Sequence, residues 1–430
     1  MKSSPFLLCS VLLTASIAAA QSRQVPAPEQ TTPILLIGGQ IHPVSGPMIP
    51  DGWVLLNDGK IEEVGSGMVP EADGEIRVVE LNGRSVYPGL VAADSQLGLV
   101  ETGAVDVTHD HDEYGSWTPE TRAYIALNPD SDLLPVTRAA GILTALVSPD
   151  GGRVPGRSTV IRLDGWTPED LAIDREACLV VEWPRTGGRR GGGGGRAESQ
   201  IREIDEFFED AEAYYAAREN DPTVRPDLRY EAMREAIAGE VPLLIRASTA
   251  AQIEAAVTWA TSRDLEVVIL GGEESDRVSD LLVEHDVPVI VRGVHRLPVS
   301  RHVAPHSPHE LPLRLHEAGV TFCIAPRDRP AHIRNLPHHA ATAAAHGLPR
   351  DVALRSVTLD AAKIIGMGDR LGSIEPGKAA TVIITTGDPL EMTTNVDMAF
   401  IDGREIELTS RHTQLRDKYR EKYRQKGRID

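Results

Sequence analysis

The sequence is poor in cysteine and in aromatic residues, and after its first twenty positions it has no long apolar segment. Three cysteines occur in 430 residues, and aromatic residues make up 4%. Three thiols cannot form a disulfide framework, and Cys178 and Cys323 lie in short apolar runs, where cysteine is usually a small buried packing residue. No later segment reaches the roughly 18 apolar residues of a spanning helix, so no membrane span is predicted.

Basic residues are also few relative to acidic ones. Forty-four Lys and Arg stand against 63 Asp and Glu, a formal net charge of -19 at pH 7. Such a charge repels nucleic acid at long range, so no nucleic-acid partner is expected. With 41% hydrophobic residues, the chain can bury a large core and is globular. The exception to the acidic balance is residues 409–430, a predicted basic helical tail that either lies on the acidic body or serves as a binding arm.

Residues 1–20 have the order typical of a secretory signal peptide. An apolar stretch follows Lys2, and the small residues Ala18 and Ala20 suit cleavage after Ala20. This stretch, which contains the third cysteine, is too short to span a bilayer comfortably. We therefore expect the mature protein to begin at Gln21 and to be exported, either periplasmic or secreted.

Two β-rich ends flank a middle region with a different spacing. Short runs rich in β-branched residues and broken by turn residues occupy residues 21–85 and return in residues 371–408, and such runs form small antiparallel sheets. Residues 86–370 contain eight compact apolar runs: Val86 to Ala92, Ile142 to Ser148, Thr159 to Leu163, Ala177 to Trp183, Val241 to Ala247, Leu265 to Gly271, Val287 to Val294 and Val320 to Ala325. Eight buried strands with intervening helices are typical of a closed parallel barrel. The sequence therefore predicts an α/β fold, a (β/α)8 TIM-type barrel with a small β-sandwich domain built from both chain ends.

Short motifs, most of them containing glycine, mark the two ends of the predicted barrel and its flanks. They are Gly38-Gly39-Gln40-Ile41, Asp58-Gly59-Lys60-Ile61, Val86-Tyr87-Pro88-Gly89-Leu90, Thr358-Leu359-Asp360-Ala361-Ala362, Leu371-Gly372-Ser373-Ile374-Glu375-Pro376-Gly377-Lys378-Ala379-Ala380 and Gly387-Asp388-Pro389-Leu390. In this order they resemble the metal-dependent amidohydrolase superfamily, in an exported branch similar to imidazolonepropionases. The resemblance implies a barrel with a split β-domain, and hydrolysis of non-peptide carbon–nitrogen bonds by a metal-activated water.

The resemblance also assigns metal ligands to strand ends where this sequence holds other residues. A hydrolytic zinc site needs three or more converging His, carboxylate or carbamylated Lys donors. The family's His-x-His pair on the first strand falls on Asp94 and Gln96, and its fifth-strand His falls on Arg246. The sixth run ends in Leu270-Gly271-Gly272, with no ligand. An arginine is a permanent cation, which cannot ligate a divalent metal and repels one.

The fourth and eighth runs supply the remaining site candidates. The family's eighth-strand Asp falls on Arg327, and Asp328 follows one residue later, so Asp328 would serve only if the strand end is bulged. Glu182 closes the fourth run and is the one match to the family's bridging Lys or Glu. The catalytic candidates are Asp94, Glu182 and Asp328. The substrate-pocket candidates are Gln96, Arg246, Arg327 and His295.

Loops that follow the predicted strands offer further polar groups. His109 and His111 form either a solvated loop tip or a weak alternative pair of metal ligands. His295 is one of four histidines that follow the seventh run and could line a pocket. Residues 148–153 either cradle an anionic or amide group through backbone N–H groups or form a tight loop that needs its glycines. Residues 187–195 are glycine-rich and predict a mobile loop over the same barrel face.

Asp94, Glu182, Arg246 and Asp328 close different strands or strand–loop junctions. The carboxyl ends of barrel strands meet at one face, so these four residues should converge at the barrel mouth. Arg246 would then take the electrostatic place of the metal, as a fixed cation that keeps nearby acidic groups ionised.

Two main hypotheses for function follow from the sequence. In the first, this is an exported pseudoenzyme that has lost the family's metal centre, needs no cofactor, and binds a small molecule at the barrel mouth. In the second, it is a divergent carbon–nitrogen hydrolase that uses zinc or another divalent metal in a rebuilt site, or acid–base carboxylates without metal. A third, purely structural role in a surface assembly has no specific support. Tightly held stoichiometric metal would favour the second hypothesis.

Overall fold

The computed structural model describes residues 24–69, 74–185, 194–326 and 329–429. The predicted signal peptide, residues 1–20, lies outside the described residues. So do Arg327 and Asp328, and most of the predicted glycine-rich loop at residues 187–195.

The strands of the described residues fall into two sheets. In chain order they are β1 (Ile34–Ile41), β2 (Ile49–Asn57), β3 (Lys60–Ser66), β4 (Arg77–Glu80), β5 (Ser85–Pro88), β6 (Leu90–Ser95), β7 (Ile142–Val147), β8 (Gly156–Arg162), β9 (Ala172–Glu182), β10 (Leu243–Ala247), β11 (Val267–Gly271), β12 (Val289–Arg292), β13 (Phe322–Ala325), β14 (Val382–Thr385), β15 (Val396–Ile401) and β16 (Arg404–Glu405).

The helices lie mainly in the barrel region. They are α1 (Leu133–Arg138), α2 (Pro168–Leu171), α3 (Gly194–Asn220), α4 (Leu228–Ile237), α5 (Ala250–Thr261), α6 (Ser279–Glu284), α7 (Ser307–Glu317), α8 (Leu336–Ala345), α9 (Arg350–Arg355), α10 (Leu359–Ile364) and α11 (Arg411–Gln425). Short 3-10 helices occupy Asp106–Thr108, Ala123–Ala126, Ser275–Val278 and Pro330–Asn335. Within the described parts of the chain, none of these helices is both long and apolar enough to cross a membrane.

The first sheet joins the two ends of the chain. Strand β14 pairs antiparallel with β5, and β5 pairs parallel with β1, so the C-terminal strands extend the N-terminal sheet. Alternate side chains of β14 face different cores: Val382 and Ile384 pack with Val86 in the sheet core, while Ile383 packs against the barrel. This period of two is the side-chain pattern of a strand covered on both faces. The expectation of a domain built from both chain ends is confirmed.

The second sheet is the barrel, and each of the eight predicted apolar runs contributes a strand to it, although the start of the first run, residues 86–88, belongs to β5 of the first sheet. They lie in the order β6 to β13. One direction differs from the prediction: β8, the third run, is antiparallel to both β7 and β9. The reason is the short connection after β7, because a parallel return needs a crossover of a dozen or more residues and residues 148–155 provide only a loop.

The backbone of residues 356–357 spans the gap between the last and first barrel strands. Val91 N donates to Val357 O at 2.9 Å, and Ile324 N donates to Ser356 O at 3.0 Å. Inside the ring, inward-facing side chains such as Val180 and Cys323 form a packed core. Cys178 and Cys323 are buried and free, as the packing interpretation predicts, and burial raises the pKa of the Cys178 thiol to about 12.

The predicted basic tail contains helix α11. A capping box at Ser410 begins the helix, and the Arg411 side chain lies 3.7 Å from Asp132. Arg334 Nη1 lies 2.8 Å from His412 Nδ1. No residue of α11 is buried. These two contacts join the first turn of α11 to the rest of the protein.

Candidate functional site

Arg246 lies at the centre of the barrel mouth, near the carboxyl end of β10. Its Nη1 is 3.0 Å from Asp150 Oδ1 and 3.9 Å from Glu182 Oε2, and its Nη2 donates to Pro149 O at 2.7 Å. The side chain is only 9% exposed. One guanidinium is thus shared by two carboxylates and a backbone carbonyl that come from two different strand ends.

A second arginine forms a second ion pair beside the first. Arg292, the last residue of β12, places its Nε 2.7 Å from Asp94 Oδ2. The Asp94 side chain is 4% exposed and the Arg292 side chain 32% exposed. The buried Asp94 carboxylate therefore fixes the Arg292 side chain, and the partly exposed Arg292 guanidinium faces the solvent at the barrel mouth.

The pKa values of the two carboxylates beside Arg246 are shifted in opposite directions. Burial alone would raise the pKa of Asp150, but Arg246 and the backbone N–H of Gly151 more than offset it, and the pKa is lowered. Burial raises the pKa of Glu182, since the attraction of Arg246 is weaker there and Asp150 adds repulsion. Asp94 raises the pKa of Arg292 above its ordinary value. Asp150 therefore stays ionised, whereas Glu182 takes up a proton more readily than an ordinary glutamate.

Local sequence explains the open space around these groups. β10 is followed at once by α5, whose capping box pairs Thr249 with Gln252. β11 ends in Gly271, where φ is +117°, and a Cβ there would lie 2.9 Å from Ala247 O. No side chain fits at that position, so the wall of the mouth is backbone at this point.

A cavity of about 690 Å³ opens beside Arg246. Arg246, Arg292 and Glu182 line it together with rim residues that follow β9, β11 and β12. The rim after β12 contributes Leu297 and Val299, whose exposed fractions are 86% and 44%. The cavity therefore combines a charged floor with an apolar rim.

Sequence reasoning placed Asp94, Glu182 and Arg246 at one face, and the structure brings these three together. Gln96 and His295 do not line the cavity. The exposed His295 ring stacks on His339 with 4.2 Å between ring centroids, and its Nε2 lies 2.7 Å from Thr342 Oγ1. The roles assigned to Arg327 and Asp328 remain predictions, because both residues lie outside the described part of the chain.

Two residues of the site were not among the sequence candidates. Arg292 is the last residue of β12 and lies inside the seventh run, and Asp150 lies two residues after the second run. The signal that could have found them is the one that found Arg246: a charged residue at the carboxyl end of a buried strand.

Among the described residues, the two aspartates of this site are already paired with arginines. Asp150 and Asp94 each face a guanidinium at 3.0 Å or less, and a bound cation would have to stand beside those fixed positive charges. His109 and His111 have ring centroids 5.6 Å apart. His109 Nε2 is 3.2 Å from Thr102 O of its own loop, whereas the backbone carbonyl of His111 accepts from Asp150 N at 2.6 Å. Among the residues that the structure describes, no group of three or more His, Cys, Asp or Glu could hold a metal ion.

Comparison with known proteins shows which family this chain resembles. A sequence profile described as the amidohydrolase family matches residues 197–406, and the motifs quoted above flank and overlap that range. The crystal structure of an amidohydrolase from Thermotoga maritima MSB8 covers 87% of this chain and 99% of its own, with 26% identity and a TM-score of 0.76. The chain is therefore similar to the amidohydrolase family in sequence and in fold.

Other similar proteins have lower sequence identity to this chain. Amidohydrolase tasK of Hapsidospora irregularis is 23% identical over 395 residues, which are 82% of this chain and 39% of that protein. This chain thus spans about two fifths of the length of this relative. The structure of molinate hydrolase, 17% identical with a TM-score of 0.57, covers 90% of this chain and 96% of its own, and supports the fold alone.

His339 supports the rim segment and gives a pH-dependent prediction. Its Nδ1 accepts from Val294 N at 3.2 Å, and burial, with repulsion from His295 and His338, lowers its pKa to about 3. The folded-state pKa lies below the unfolded value of 6.5, so the stabilisation is complete above that value and is lost as pH falls through it toward 3. Urea unfolding should show a loss of about 2 kcal/mol from this group between pH 7 and pH 5.

The matched variants separate this group from other histidines. His339→Asn keeps an acceptor near the Nδ1 position but does not titrate, so its pH dependence should be shallower than that of the wild type. His316→Asn, at an exposed position on α7, should leave the pH dependence unchanged. Equal pH dependence in all three proteins would contradict the assignment.

Proposed function

We propose that this chain is an exported member of the amidohydrolase family and binds a small molecule at its barrel mouth without the family's metal centre. The observation that carries the proposal is the Arg246 guanidinium, 3.0 Å from Asp150 and 3.9 Å from Glu182. The family resemblance assigns a metal-binding histidine to that position. A guanidinium there neutralises the carboxylates and offers no open coordination site.

The charge pattern supports replacement of the metal. Arg246 lies 3.9 Å from Glu182 and Arg292 lies 2.7 Å from Asp94, two carboxylates at expected ligand positions, and the Arg246 side chain is only 9% exposed. Removing a metal from a carboxylate cluster leaves like charges that repel each other. Two permanent cations restore the balance, and they do so at every pH at which the protein is folded.

Elemental analysis tests the proposal. The purified mature protein, expressed with zinc and manganese in the medium, should contain less than about a tenth of a metal ion per chain, because a closed guanidinium–carboxylate site holds no divalent ion tightly. Zinc, manganese or nickel at about one ion per chain would overturn the proposal.

Export rests on the first twenty residues. Because Ala18 and Ala20 suit signal peptidase, intact-mass analysis of exported protein should give a chain that begins at Gln21. An exported chain that retains residues 1–20 would contradict cleavage.

A second function is favoured by one observation, the raised pKa of Glu182. A glutamate that accepts a proton readily, at a cavity in the position of the family's active site, is suited to general acid–base catalysis. In this alternative the protein is a divergent hydrolase of carbon–nitrogen bonds. Hydrolysis of amides or cyclic ureides by the metal-free protein, abolished in Glu182→Gln, would establish it.

A further inference from the structure

We propose that the cavity at the barrel mouth binds a monoanionic organic carboxylate with an apolar body. The inference rests on the proposed function, ligand binding at this mouth, and names the class of ligand. The charged residues that line the cavity are Arg185, Arg246, Arg292, Arg296, Glu182 and Glu273. Four guanidiniums and two carboxylates line the cavity, and Asp94 and Asp150 pair with two of the guanidiniums from outside the lining, so the surface that faces a ligand is richer in cations than the chain as a whole, whose net charge is -19.

Two of the guanidiniums are held in place before a ligand arrives. The buried Asp94, which does not line the cavity, anchors Arg292 through its Nε at 2.7 Å. Asp150 and Pro149 O anchor Arg246 in the same way. Since neither side chain needs to lose rotamer freedom on binding, little of the interaction energy with an anion is spent on ordering them.

The lining favours a carboxylate over a phosphate. Guanidinium groups present a planar fork of N–H donors that matches carboxylate and phosphate alike, so the preference rests on the charge of the ligand. Glu182 and Glu273 also face the cavity, and their negative charges repel a dianion more strongly than a monoanion.

The rest of the lining indicates the body of the ligand. Leu270, Leu297, Pro298 and Val299 line the same cavity, and Leu297 is 86% exposed. Exposed apolar side chains grouped at the edge of a charged cavity are typical of ligand sites. An apolar ligand body would cover them while its carboxylate reaches the floor.

Matched ligand pairs test the inference by calorimetric titration. Phenylacetate with phenylacetamide, and hexanoate with hexanamide, differ in charge and hardly in shape. Each carboxylate should bind at least about tenfold more tightly than its amide, and the dianion phenylphosphonate should bind more weakly than phenylacetate. In Arg292→Gln the preference for the carboxylate should fall below about threefold.

Two further variants keep the test decisive. Arg292→Gln leaves the buried Asp94 unpaired, so the double variant Asp94→Asn/Arg292→Gln, which removes both charges, should show the same loss of preference in a stably folded protein. Arg277→Gln removes an exposed arginine that does not line the cavity and should bind like the wild type.

The outcomes separate this inference from the proposed function. Equal affinity for amides and carboxylates, or no binding of any carboxylate up to about 10 mM in metal-free protein, would overturn the carboxylate class alone. Stoichiometric metal in the purified protein would overturn the proposed function instead.

Discussion

Arg246→Ala should lower the free energy of unfolding by about 2 kcal/mol at pH 7. Breaking a fully buried ion pair by removing one partner costs about 3 to 5 kcal/mol, because the other charge stays buried and unpaired. Asp150 and Glu182 are 49% and 37% exposed, so water screens the two carboxylates and reduces the cost. Urea unfolding monitored by circular dichroism measures the difference.

The control for this variant is Arg185→Ala. Arg185 lines the same cavity but is exposed, so its removal should change the free energy of unfolding by less than about 0.5 kcal/mol. The cost of Arg246→Ala should also shrink at acidic pH, because protonated Asp150 and Glu182 no longer repel each other. Arg246→Ala as stable as Arg185→Ala at pH 7 would show that the guanidinium does not balance the carboxylates.

A chain truncated after Leu371 should fail to fold. The truncation removes β14, the strand that joins β5 to β15, together with Val382, Ile383 and Phe400, each of which is fully buried. Burial of each large apolar side chain contributes roughly 1.5 to 3 kcal/mol, so the lost side chains together approach the whole stability of about 5 to 15 kcal/mol of a typical protein. The truncated chain should be recovered mainly as aggregate, with no cooperative thermal transition.

Truncation after Thr409 is the matched control. It removes Ser410, which is buried, and the helix α11, none of whose residues is buried. The melting temperature should stay within about 2 °C of the full chain, since few buried groups are lost. A chain ending at Leu371 that melts at an unchanged temperature would contradict the joining of the two ends in one sheet.

The sequence determined which segments are barrel strands but not the direction of every strand. Nearly continuous apolar runs mark buried strands, and all eight runs form strands of the barrel. An apolar run does not show in which direction its strand crosses the sheet. The reversed direction of β8 could therefore be inferred only from the short connection between Ser148 and Thr159. That length was visible in the sequence, and it excludes a helical crossover.

For the candidate site, the sequence predicted which residues lie together but not which of them form ion pairs. The rule that strand ends meet at one face predicted that Asp94, Glu182 and Arg246 lie together. It could not assign partners, because pairing depends on side-chain reach and on the rotation of each strand. In the structure, Asp94 pairs with Arg292, which lies inside an apolar run and was not a candidate. Arg246 pairs with Asp150, which lies on a loop.

Calorimetric titration with zinc of the wild-type protein and of Arg246→His tests the central claim most directly. The wild type should give no binding heat, because the Arg246 guanidinium already occupies the space between Asp150 and Glu182. Arg246→His removes that cation and supplies an imidazole beside two carboxylates, a donor set that zinc accepts, so this variant should bind zinc weakly. Stoichiometric, tight binding of zinc by the wild type would contradict the account.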